Sequence, residues 1–74
     1  MNAPANISQD ARECAAFFSL SQTQRRIAHD YKRRAMAEKA AGDVSRFDRY
    51  SAEANRLWAQ AKWHLQMAKR RAAL

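Results

Sequence analysis

The chain of 74 residues has a single glycine, a single proline and a single cysteine, and each scarcity removes a class of structure. One glycine cannot build a phosphate-cradling loop. The proline, Pro4, falls in the aperiodic stretch Met1 to Ala5, so residues 1–5 are expected to form a mobile tail. Cys14 has no partner for an internal disulfide, so nothing points to an oxidising compartment, and the cytoplasm is the expected location. No apolar run approaches the roughly 18–20 residues of a membrane span, and the N-terminus has neither the basic start nor the apolar stretch of a signal peptide. No membrane partner is expected.

Catalytic constellations are missing too. His29 and His64 have no Asp, Glu, Cys or second His three or four residues away, the spacing that would pair ligands on one helix face. Asp30 adjoins His29 but points about 100° round a helix from it. Cys14 sits on an apolar stripe, where a buried structural thiol is far commoner than a nucleophile. The expectation is a protein that is not an enzyme, with no catalytic or metal-binding residues, no cofactor and no small-molecule substrate.

What the chain does have is helical periodicity. From Asp43 to Ala72, the residues Phe47, Tyr50, Ala54, Leu57, Trp58, Ala61, Leu65, Ala68 and Ala72 keep the 3-4 spacing of one helix face. Upstream, Leu20, Ile27, Ala28, Tyr31 and Ala35 mark a second helix that meets Gly42. Glycine just past a helix can take the left-handed C′ conformation, and Asp43 can cap the next helix, so Gly42-Asp43 reads as the turn of an αα-hairpin. The small alanines Ala28, Ala35, Ala54 and Ala61 would let the two rods approach closely.

A third, shorter element is expected before these. Asn6 with Gln9 has capping-box form, and a helix starting there would align Ile7, Ala11, Cys14, Ala15 and Phe18, with Asp10 and Glu13 near its positive end. This stripe lies roughly 100° or more from that of Leu20, Ile27 and Tyr31, and Ser19–Gln24 carries two overlapping cap signatures. Both predict a kink or loop near Ser19–Ser21; one long bent helix from Ile7 to Ala41 is the alternative. The fold class is therefore all-α: an antiparallel hairpin of two long helices preceded by a short N-terminal helix, in one helical domain over residues 6–74, with helices at about 7–20, 22–41 and 43–72. A core this small supplies only about 3–5 kcal/mol, which makes self-association into a helical bundle, as in a homodimer, an expected source of further stability.

The charge pattern carries the functional reading. Fourteen Lys and Arg stand against seven Asp and Glu, a net +7. Ten of the fourteen are Arg, whose planar fork suits phosphate and carboxylate. Several arginines have an acid at helical spacing: Arg26 and Arg34 with Asp30, Arg34 with Glu38, Arg49 and Arg56 with Glu53. In contrast, Arg25, His29, Lys32 and Lys39 form an acid-free stripe on the second helix. No acid follows Glu53, whereas Arg56, Lys62, Lys69, Arg70 and Arg71 do. The first reading is a small basic helical protein that docks on nucleic acid or a nucleoprotein complex through Arg25, Lys32, Lys39, Lys62, Lys69, Arg70 and Arg71.

A second class rests on Trp63 and Met67, which point away from the main face of their helix among Arg56 and Arg70. Tryptophan flanked by arginine has the composition of a protein-interface hot spot. Arg56, Trp63, Met67 and Arg70 would then anchor a protein partner, as in a phage-type regulator or inhibitor of a larger machine, or a second copy of the chain. An intramolecular cover is the third option, with the N-terminal segment extending alongside and bringing Cys14, Phe17 and Phe18 against Trp63 and Met67.

Overall fold

The structure, a computed structural model, describes residues 2–73, with side chains described from Gln9 onward. Two helices fill it, α1 (Asn2–Ala40) and α2 (Val44–Ala73), with no strand among the described residues. They run antiparallel as the hairpin the sequence predicts, in a rod 62 × 13 × 12 Å across its Cα atoms. The tail expected at residues 1–5 falls partly on Met1, outside the described residues; α1 begins at Asn2, so Asn6 lies within the helix and not at its cap.

The separate N-terminal helix is a correction. α1 runs through Ser19–Ser21 without a break, and the reason lies in which residues face α2. The seam on α1 consists of two rows with seven-residue spacing: Cys14, Ser21, Ala28 and Ala35, and beside them Phe17, Gln24, Tyr31 and Glu38. The matching rows on α2 are Phe47, Ala54, Ala61 and Ala68, and Tyr50, Leu57, His64 and Arg71. A strict heptad keeps such rows in register over many turns by winding the helices slightly about one another. Cys14 and Tyr31 thus belong to one continuous face. Leu20 and Ile27, expected in the seam, lie outside it and are exposed. Asp10 and Glu13 sit well inside α1, not at its start.

Small side chains set the distance between the rods. Among the described residues, the buried positions are Ser21, Ala28, Ala35, Ala54, Leu57, Ala61 and Ala68, so all but one are Ala or Ser. Subtracting the roughly 4.6 Å diameter of a helix's Cα cylinder from the 13 Å width leaves at most about 8 Å between axes, the near end of the usual 8–10 Å. At this range the Ser21 hydroxyl reaches across the seam and donates to the carbonyl of Ala61 at 2.8 Å.

Larger groups in the second rows fix the register. Tyr31 lies over Tyr50, ring centroids 5.9 Å apart, and Phe17 stacks on His64 at 5.9 Å. Gln24 Nε2 donates to Gln60 Oε1 at 3.1 Å, leaving Gln24 Oε1 to accept from His64 Nδ1 at 2.7 Å. Ion pairs close the seam at both ends, Glu38 with Arg46 (3.7 Å) and Glu13 with Arg71 (3.0 Å). A shift of one residue would separate every one of these pairs.

The turn forms as expected. Gly42 takes φ +83°, its N–H donates to Lys39 O, and the Asp43 N–H donates to Glu38 O, the paired bonds of a Schellman cap. Asp43 Oδ1 then accepts from the Arg46 N–H at 3.0 Å and caps α2.

Candidate nucleic-acid interface

With the seam rows buried, each helix presents a flank on either side of the seam. Beyond the Ala-rich rows, at the same seven-residue spacing, come Arg25, Lys32 and Lys39 on α1, facing Trp58 and Leu65 on α2; Lys62 and Lys69 stand one step further round. Packing confirms the placement, since Ser21, Arg25, Trp58, Lys62 and Leu65 line one shallow groove. Cations within a helix are about 10 Å apart, and the flank from the level of Lys69 to Lys39 is roughly 35–40 Å long, about one turn of a nucleic-acid duplex.

Aromatic rings hold two of these cations in place. The Arg25 guanidinium sits 5.4 Å from the centre of the Trp58 ring, whose other contact is the edge-on imidazole of His29. The Lys39 ammonium lies 5.5 Å from the Phe47 ring. Both distances are within cation–π range. Trp58 was read from the sequence as core only; its role as a platform for Arg25 depends on two residues 33 positions apart becoming level, which only the hairpin register reveals.

The ion pairs of the described residues leave this flank's cations out, although Arg33 borders Lys32 and His29. Arg33 pairs with Asp30, Arg46 with Glu38 and Asp43, Arg56 with Glu53, and Arg71 with Glu13. None involves Arg25, Lys32, Lys39, Lys62 or Lys69. The Arg56 hydrogen bond, at 2.8 Å, holds the Glu53 carboxyl below its ordinary range and raises the guanidinium correspondingly. Asp48 is the one acid spaced to fall on the basic flank, near its turn end.

Five of the seven basic residues singled out from the sequence thus come together. The other two do not join them. Arg71 is half-buried and committed to Glu13, the two facing atoms shielded from solvent. Arg70 is exposed on the opposite flank, two turns beyond Trp63.

That opposite flank holds the second group of candidates. Trp63 is covered on one side by Phe17, edge-on at 6.2 Å, and by His64 at 5.1 Å, as expected of an N-terminal segment lying alongside. Phe18 is not part of this cover and is exposed on the basic side, near Cys14. The cover is also partial. Trp63 remains 54% exposed, and Leu20 (47%) and Ile27 (41%) lie on the same flank. Half-buried Met67 and the Arg56–Glu53 pair border them.

Among the described residues no group of three His, Cys, Asp or Glu is placed to hold a metal ion, and no helix is long and apolar enough to cross a membrane. The chain matches no known family model, and no characterised protein or solved structure matches it.

Proposed function

We propose that this is a non-enzymatic binding protein that docks its basic flank on the phosphate backbone of nucleic acid, free or in a nucleoprotein complex, in the cytoplasm. The observation that carries the reading is the segregation of charge: Arg25, Lys32, Lys39, Lys62 and Lys69 share one flank without an ion pair, while the acids of the described ion pairs lie elsewhere. Cations placed only for solubility would have no reason to gather along roughly 35–40 Å of rod on which Asp48, near the turn end, is the one acid. Evenly spaced side chains on a rigid helix pair can displace counterions from successive phosphates, and two are held by rings that also limit the entropy lost on binding. The Trp58 ring in the flank's shallow groove is taken up by Arg25 and His29, so recognition would follow backbone shape and charge more than sequence.

Titration of labelled duplex DNA and RNA over a range of salt tests this. Five phosphate contacts give a slope of log affinity against log salt near −4.5, or about a 500-fold loss between 50 and 200 mM. Replacing Lys32, Lys62 and Lys69 together by Gln should bring the slope to about −2, whereas Arg34→Gln, beside Ile27 on the opposite flank, should change it little. Salt-independent binding, or a triple variant that binds like the parent, would remove the basic flank from the interaction.

A further inference from the structure

We propose that the Leu20–Trp63 flank binds a second copy of this chain, forming an antiparallel four-helix dimer whose basic flanks face outward. This pairing is independent of what the basic flank binds. Three observations support it. The first is area. A compact monomer of 8.5 kDa exposes about 4,700 Å²; this chain exposes 5713 Å², about 1,000 Å² more. Its radius of gyration, 17.2 Å, likewise exceeds the roughly 11 Å of a compact domain this size. Burying the excess on both copies removes about 2,000 Å² in total, the lower bound for obligate homodimers.

The second observation is position. By the register of Ser21 with Ala61, Trp63 is level with about residue 19 of α1 and Met67 with about residue 15, so the patch spans the levels of roughly 15–27. Its centre is the midpoint of a hairpin whose first helix runs from Asn2 to Ala40. A two-fold axis through that point overlays the two rods along their full length. A patch at one end would leave half of each rod uncovered.

Charge is the third. The basic flank repels its own copy, whereas on the apolar flank Arg56 is paired with Glu53 at 2.8 Å and Arg70 stands at the patch's outer edge, one turn beyond Met67. Self-pairing is therefore tolerated on this side alone. An acidic protein would bind better on the other side, which leaves a second copy as the occupant this near-neutral apolar surface suits.

The test is solution mass with site-directed cross-linking. Sedimentation of the full chain over 1–500 µM should give twice the 8.5 kDa chain mass, and the double variant Leu20→Glu, Ile27→Glu should sediment as a helical monomer, because both residues lie outside the seam. In a Cys14→Ser background, Thr23→Cys, close to the axis, should oxidise to a disulfide-linked dimer, and His29→Cys on the basic side should not. A parent that stays at 8.5 kDa throughout overturns the proposal, as does a larger assembly, or a dimer that keeps its mass in the double variant. Preferential cross-linking at residue 29 would also overturn it.

Discussion

Ala28 has no exposed surface and lies in the middle of the Ala-rich seam, so its replacement by leucine measures how closely the helices touch. At an axis separation of at most about 8 Å there is no room for the three added carbons. Either leucine leaves its rotamer well or the rods move apart. Overpacking of this kind costs about 1–3 kcal/mol, and separation of the rods would also stretch the Ser21–Ala61 hydrogen bond. For a domain of this size about 2 kcal/mol lowers the melting temperature by roughly 8–16 °C. Ala52→Leu, on the exposed back of α2, is the control and should stay within about 0.5 kcal/mol of the parent. Thermal melts followed by circular dichroism, at one protein concentration, decide the matter. Ala28→Leu melting at or above the parent with unchanged helix content would mean that the seam has spare volume and that alanine does not set the helix spacing.

Two further perturbations read the turn and the surface. Gly42→Ala meets no neighbouring atom within 4 Å, so its whole effect comes from the φ of +83°; a loss of about 1 kcal/mol in chemical unfolding is expected, and a gain would show that the turn relaxes to negative φ. Glu53 is held below its ordinary value by the hydrogen bond from Arg56, partial desolvation opposing and the arginine charge assisting. Its stabilising effect is therefore present above the unfolded value and lost as pH falls through the lower folded one. A carbon-13 titration of its carboxyl should show a midpoint below the roughly 4.3 of a free glutamate, and a midpoint at or above that value would mean the pair does not persist in solution.

The turn was the most legible part of the fold, because one glycine followed by Asp43 admits few other local structures. The α2 face was legible for a related reason: Phe47, Tyr50, Leu57 and Trp58 mark it by size. On α1 size misled. The larger apolar residues Phe18, Leu20 and Ile27 are exposed; of the seam, Cys14, Ala28, Tyr31 and Ala35 stand on the expected apolar stripes, whereas Ser21, Gln24 and Glu38 are types that ordinary hydrophobicity does not pick out. The seam's even spacing of seven was present in the sequence; reading by apolar bulk placed a break at Ser19–Ser21 where that spacing runs straight through. Lys32 and Lys62 are grouped by charge pattern alone; the seating of Arg25 on the Trp58 ring needed the side-chain packing between helices, which no single-helix pattern contains.

A seam of alanines has an energetic consequence that bears on self-pairing. The core buries one leucine and five alanines among the described residues, and alanine contributes little of the 1.5–3 kcal/mol that a buried large side chain supplies. The hairpin is well specified by register yet weakly held by burial, so covering the Leu20–Trp63 flank should supply much of its stability. Mass action then ties melting to concentration. With about 0.7 kcal/mol of unfolding enthalpy per residue in two chains, a dimer that unfolds to separate chains gains about 5 °C in melting temperature per tenfold rise in concentration. Between 5 and 500 µM the melt should move by about 10 °C, and the Leu20→Glu, Ile27→Glu variant should melt low and without that dependence. A parent melt that stays fixed over the same range would mean that one hairpin carries its own stability, and that its exposed tryptophan is not covered by a second copy.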